Sequence, residues 1–246
     1  MNSNPNSRPF YDDLYSGNHI INPAYEIYDQ LRINTIQGFK DNISGKILII
    51  GCGSRKDFQL LHPGDFSVAF DLSIQAIKKA KGIQASLFVA DALSIPLPQN
   101  YFDVIICSEV LEHIPNIRTV VIEMKRVLKP DGILIVSSPN WYSWFGVARW
   151  FAEKITRKLQ TSDNQPYDDW KTIWKYQNEL RPEFQMIDYR GVWYLPPLHF
   201  RGKGLPRGWV QLLYHLFSPL DRFLSFAFPF LGHLIVLKCV GTKENS

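Results

Sequence analysis

Short, unbroken apolar runs alternate with stretches of helical spacing through most of this chain, and the alternation sets its architecture. Lys46 to Ile50, Ser67 to Phe70, Ser86 to Ala90, Phe102 to Cys107 and Ile133 to Ser137 read as strands. Between them the chain to Leu61, Ser73 to Lys81, and Ile117 to Leu128 read as helices. Strands that are continuously apolar, rather than alternating, belong to a parallel sheet covered on both faces. The class is therefore a doubly wound α/β sheet. Ahead of it, Tyr25, Tyr28, Leu31, Ile36 and Phe39 carry helical spacing within residues 10–43, with Pro23 suited to a helix start and Gly45 to the stop. The polar residues 1–9 read as a loose, disordered tail.

After Pro139 the pattern changes. Trp141 to Lys158 is aromatic, basic and partly amphipathic, and a polar break follows at Thr161 to Pro166. A helix is expected within residues 168–181, a strand over Phe184 to Trp193, a helix from Trp209 towards Phe226, and a last strand over His233 to Val240. The run from Trp209 to Leu237 is apolar, yet Pro219, Asp221, Arg222 and Pro229 divide it into pieces shorter than the ~20 residues of a spanning helix. One domain over residues 10–246 is expected, with 141–181 and 195–232 as insertions on the substrate side.

Composition narrows this only slightly. A hydrophobic fraction of 46% with 20% charged residues excludes general disorder. The formal charge of +4 is concentrated in residues 141–216, which carry 11 basic and 7 acidic side chains. That excess is too dispersed to imply nucleic acid, and a solvated surface is the expectation. Cys52, Cys107 and Cys239 are widely spaced in apolar contexts and read as buried thiols of a reducing compartment. Residues 1–20 lack the apolar core and basic start of a secretion signal, so the expected location is cytoplasmic.

The chemistry begins where the first strand runs into G-C-G at Gly51 to Gly53, with Asp71 closing the second strand. Glycine lets the backbone turn tightly beneath a ligand, and a carboxylate at the next strand end can accept both hydroxyls of a ribose. The blocks I-L-I-I-G-C-G-S, F-D-L-S-I-Q-A-I-K-K-A, D-A-L-S-I-P-L-P-Q-N-Y-F-D-V-I-I-C-S-E-V-L-E-H-I and R-V-L-K-P-D-G-I-L-I-V-S-S-P-N follow in order. Over residues 44–140 the chain resembles the class I S-adenosylmethionine-dependent methyltransferases, in the small-molecule group that includes quinone-biosynthesis enzymes. The resemblance implies a seven-stranded, mostly parallel, Rossmann-like sheet with a helical cap after the fifth strand and a long connection before the last.

It also implies S-adenosyl-L-methionine as cofactor. Its methionine moiety would lie against Gly51, Cys52 and Gly53, its ribose on Asp71 beside Leu72, its adenine beside Asp91 and Ala92, and its sulfonium near Ser108. The lesser alternative for Asp71 and Asp91 is a helix N-cap or turn residue. Two positions depart from the family pattern: Ile49 stands where an acidic residue is usual, and Arg55 where a third glycine is usual. Arg55 reads either as a partner for the cofactor carboxylate or as a solvated side chain.

Within the string Glu109 to His113, His113 is the candidate general base, since an imidazole near pKa 6.5 suits that work; the alternative is a histidine at a helix end. Quinone and small-RNA methylating relatives use a similar E-x-x-E-H in a divalent-metal site. Glu109, Glu112 and His113 match it, but Asp168 or Asp169 would have to complete the set, and no metal is expected. His199 and His233 read as structural.

The expected reaction is methyl transfer to a small acceptor, and the aromatic content of Trp141 to Lys158 and Leu195 to Phe230 favours one that is apolar or lipid-linked. No nucleic-acid partner is expected. Arg149, Lys154, Arg157 and Lys158 are read as the outer side of a cap able to lie in an anionic membrane interface, against the alternative of an ordinary pocket lid with its aromatics in the core. Two other classes share the cradle. A nicotinamide dehydrogenase would want a glycine where Lys56 stands. A non-catalytic methyltransferase-fold scaffold would follow if the changes at Ile49 and Arg55 abolished cofactor binding.

Overall fold

The computed structural model of the protein describes residues 7–17, 23–40, 45–53, 55–157, 165–194, 199–200, 203–204 and 206–242. Two leading helices, α1 (Ser7–Ser16) and α2 (Pro23–Lys40), precede the first strand. Then come β1 (Lys46–Ile50), β2 (Phe66–Asp71), α3 (Ile74–Lys79), β3 (Ser86–Val89), β4 (Phe102–Ser108), α4 (Ile117–Val127) and β5 (Leu128–Pro139). The remainder supplies α5 (Trp144–Thr156), α6 (Ile173–Leu180), β6 (Phe184–Val192), a small hairpin of β7 (His199–Phe200) and β8 (Lys203–Gly204), α7 (Arg207–Ala227) and β9 (Leu234–Gly241).

Seven strands form one sheet in the order β3-β2-β1-β4-β5-β9-β6. β1 to β5 pair in parallel, with Ile49 beside Ala69 and Ile106 beside Ile135. β9 runs antiparallel between β5 and β6, setting Leu237 opposite both Val136 and Tyr189. Successive side chains on a strand point to opposite faces, so β1 splits cleanly. Leu48 and Ile50 join the core under α4 and α6, with Val120, Val121, Met124 and Tyr176. Ile47 and Ile49 join the core under α2, with Ile33, Ile36 and Phe39. The doubly wound expectation is met.

Three expectations are corrected. Residues 7–9, placed in the tail, lie in the first turn of α1, while residues 1–6 fall outside the described part. The helix expected after β1 is only a 3-10 turn, Lys56–Leu60, preceded by Arg55 in a left-handed conformation (φ 61). Pro219 does not divide its segment, because α7 runs through it for 21 residues. Proline removes the N–H that would bond the carbonyl four residues back, and here Ser218 Oγ donates to that carbonyl, of His215, at 3.1 Å. All three cysteines are free and buried.

Candidate active site

The turn after β1 is built around Gly51, whose φ of 76 lies where only glycine is unstrained. A Cβ at Gly51 would collide with Val110, and one at Gly53 with the ring of Tyr15. Cys52 is buried between them, and burial pushes its thiol up to about 12. Arg55 explains what the missing third glycine would do: its φ of 61 is a glycine-like conformation. Its side chain is exposed, as the solvated alternative expects, and Nη1 donates to the Lys79 carbonyl at 3.0 Å, at the end of α3. Ile49 is fully buried in the core under α2, so that position offers no carboxylate to a ligand.

Asp71 ends β2 and is buried, and burial pushes its carboxyl up to about 6. Its Oδ1 accepts from Ser73 N at 2.9 Å, ahead of α3 and next to Leu72. Asp91 lies just past β3, with Oδ1 accepting from Leu93 N at 3.0 Å and Ala92 buried beside it. Both aspartates thus hold turns at the carboxyl ends of adjacent strands, where ligands of open parallel sheets sit. Ser108 ends β4, and its Oγ accepts from Arg32 Nη1 at 2.7 Å.

Sequence reasoning missed the contribution of α1. Asp12 Oδ1 accepts from Ser73 Oγ at 2.6 Å, drawing α1 onto α3, and Tyr15 lies over the glycine turn. Tyr11 has a buried hydroxyl with no hydrogen-bond partner among the described residues. Burial and the nearby charges of Glu112, Asp168 and Asp71 hold that hydroxyl well above its usual pKa. The i, i+4 spacing of Tyr11 and Tyr15 was the available signal, masked by the polar residues around it.

Glu109 leaves β4 at φ 53, a strained value for a non-glycine residue, which turns the chain into a 3-10 helix over Leu111–His113. Its carboxylate accepts from Tyr28 Oη, and Ser137 Oγ lies 3.1 Å from it. Glu112 accepts from Ser138 Oγ at 2.7 Å, and that hydroxyl is 2.6 Å from Tyr176 Oη. Burial raises both glutamates above the ordinary carboxylate range, Glu109 further through the charge of Glu112 and Glu112 through that of Asp168. Arg32, 2% exposed, ties this cluster to α2, with Nη1 also donating to Asp57 Oδ1 at 2.5 Å.

His113 is partly buried with its ring 6.1 Å from that of Tyr11. Its Nδ1 lies 3.3 Å from the Tyr167 carbonyl and 3.8 Å from Asp168, and its Nε2 lies 3.8 Å from Glu112. Burial lowers its pKa, against the opposing pull of Asp168. Among the described residues no three His, Cys, Asp or Glu side chains converge as a ligand set for a metal ion.

Asp168 reaches the site through a correction. Arg149, expected on the outer side of the cap, is buried, donating to Asp168 Oδ2 at 2.6 Å beneath the rings of Trp141 and Trp170. Lys154 and Arg157 are exposed as expected, and Lys158 lies outside the described residues. His233 stacks on Phe145 at 3.9 Å and meets Trp170 edge-on at 5.4 Å, giving the cap an aromatic inner wall. The side chain of His199 is likewise outside the described residues.

A seven-stranded sheet of this order, with a glycine turn, two strand-end aspartates and a histidine gathered at its carboxyl edge, is the frame of a class I methyltransferase. Comparisons agree. Residues 48–136 match the methyltransferase domain family. An uncharacterized protein of Methanocaldococcus jannaschii is 25% identical over 87% of this chain and 86% of its own. The ubiquinone biosynthesis O-methyltransferase of Haemophilus ducreyi is 30% identical over 50% of this chain and 54% of its own. The fold also matches a chain of the Haloferax volcanii complex between a methyltransferase activator and its methyltransferase partner, with TM-score 0.64 at 12% identity over 98% and 99% of the two chains. A second match is an S-adenosylmethionine-dependent methyltransferase of Thermotoga maritima, with TM-score 0.61 at 13% identity over 89% and 92%. Together these support a class I S-adenosylmethionine-dependent methyltransferase, with the family's domain matched over residues 48–136.

Proposed function

We propose that this enzyme transfers a methyl group from S-adenosylmethionine to a small apolar or lipid-linked acceptor, with His113 as general base. One observation carries the reading. The unpartnered Tyr11 hydroxyl belongs to a ring 6.1 Å from His113, within the field of Asp71 and Asp168, and Asp168 in turn accepts from Trp170 Nε1 at 3.0 Å. A buried donor left unpaired costs about 1–3 kcal/mol, which a ligand with an acceptor atom recovers. The residues present therefore fit the cofactor, with Gly51 to Gly53 for the methionine moiety, Asp71 and Leu72 for the ribose and Asp91 and Ala92 for the adenine.

When bound, S-adenosylmethionine supplies an electrophilic methyl group on a positively charged sulfur. The chain's own residues then orient and deprotonate. Tyr15 and α1 close the turn side against water, and the rings of the cap exclude it from the acceptor side. Holding two reactants in line contributes roughly 7–11 kcal/mol towards the barrier. His113 takes the acceptor's proton on its free nitrogen, and Asp168 favours the imidazolium that results.

Titration calorimetry tests the cofactor half. Asp71→Ala is expected to weaken S-adenosylmethionine binding ten- to a hundredfold, since about 1.5–3 kcal/mol is at stake in hydrogen bonds to a charged group. Because Asp71 titrates near 6 and only the carboxylate accepts both hydroxyls, affinity of the parent is expected to fall as the pH drops below that value. Unchanged affinity in a folded Asp71→Ala protein removes the ribose assignment. Transfer of labelled methyl to quinol, phenol and prenylated acceptors then ranks the acceptor classes.

A further inference from the structure

Surface helices normally turn apolar residues inward and polar ones outward. Two helices of this protein turn apolar residues outward as well as inward. α7 is fastened to the sheet by polar contacts: Asp221 Oδ1 accepts from Tyr194 N at 2.7 Å, and Ser225 Oγ donates to the Gly191 carbonyl at 3.3 Å. Its outer face carries Trp209, Leu212, Leu216, Leu220 and Phe223 at helical spacing, ending in Phe226, which is 89% exposed. α5 is likewise held by the buried Arg149, while Trp144, Val147, Phe151 and Ile155 point outward, the last 80% exposed.

The two faces are linked. Tyr142, just before α5, meets Trp174 at 5.4 Å, Trp174 meets Phe230 at 6.0 Å, and Phe230 meets Phe228, just after α7, at 6.3 Å. Single exposed apolar residues need no explanation, but a joined patch of this kind marks a binding surface.

Its charges select the occupant. Among the described residues, the exposed Lys, Arg, Asp and Glu side chains of these two helices and their caps are Lys154, Arg157 and Arg222, all basic. The helices' two carboxylates are turned inward, Glu153 paired with Arg149 and Asp221 buried. Lys154 Nζ stands 4.0 Å from the centre of the Trp150 ring, the pairing of cation and amphipathic ring that suits a headgroup layer. No helix of the described residues is long and apolar enough to cross a membrane. We propose that the outer faces of α5 and α7 form one docking surface for an anionic lipid bilayer, lying in its interface without crossing it. This goes beyond the methyl-transfer reading and does not depend on it.

Vesicle flotation of the full chain tests this, with vesicles of phosphatidylcholine alone and of phosphatidylcholine with phosphatidylglycerol, at low and high salt. Light scattering before mixing gives the oligomeric state. The protein is expected to float with anionic vesicles at low salt, with less bound at high salt and on the neutral vesicles. Phe223→Glu with Phe226→Glu is expected to lower partitioning at least tenfold, and Lys154→Glu with Arg222→Glu to remove the preference for anionic lipid. All four side chains are exposed, so circular dichroism and S-adenosylmethionine affinity should match the parent. Protein left unbound by anionic vesicles at low salt overturns the proposal, as does binding that survives the glutamates undiminished. A dimer that the glutamates dissociate, with no vesicle binding, assigns the face to a second copy instead.

Discussion

Arg32→Leu is expected to destabilise the fold by about 3–5 kcal/mol, the cost of leaving one member of a buried ion pair without its partner. Arg32 and Asp57 are 2% and 5% exposed, and Arg32 Nη1 also donates to Ser108 at the end of β4. Removing the guanidinium strands the Asp57 carboxylate away from water and releases the junction between α2 and the turn after β1. Urea denaturation gives the single-variant loss. The double variant Arg32→Leu with Asp57→Leu is expected to recover much of it, because apolar groups can replace a buried pair at little cost. A double variant no more stable than the single one would assign Arg32 a packing role alone.

His113→Ala is expected to lower turnover roughly a hundredfold or more while leaving S-adenosylmethionine affinity nearly intact. The base must be neutral to accept a proton, and burial holds the His113 pKa below its ordinary 6.5. Activity should therefore be flat through neutral pH and fall only on the acid side of 6.5, with that limb absent in the variant. The sign for stability is the same: a histidine whose folded pKa is depressed contributes stability present above the unfolded value and lost as pH falls through it. Glu109 and Glu112 act oppositely. Raised above the ordinary 4.5, they contribute stability that is full below that value and lost as pH rises through their elevated folded-state values. Unchanged turnover for His113→Ala and for chelator-treated parent would leave His113 structural and catalysis to positioning.

Most of the sheet was legible because its signal is local. Every expected strand core lies within or almost within an observed strand, and Ile47 to Ile50 divide between two cores as a covered strand must. The losses were long-range. Arg149 looks like an outer cation until Asp168, 19 positions later, folds back onto it. α1 has little helical signal of its own and gains its place from Asp12 on Ser73, 61 positions away. Arg55 could be seen as an oddity but not as a left-handed residue bonded to Lys79. Pro219 was read by a rule that holds for bare helices, and Ser218 supplied the exception. At the site, the glycine turn and both aspartates followed from strand ends, whereas the Tyr11 hydroxyl beside His113 depended on how α1 packs.

The three buried thiols make this fold a clock for its own opening. Burial holds Cys52, Cys107 and Cys239 far above the range in which a thiolate forms at neutral pH, so a maleimide reacts only when the chain around each one breathes. Cys107 in the central β4 reports the global excursion and Cys239 that of the antiparallel part of the sheet, in β9 between β5 and β6. Cys52, in the turn under Tyr15, reports how often α1 lifts away from that turn.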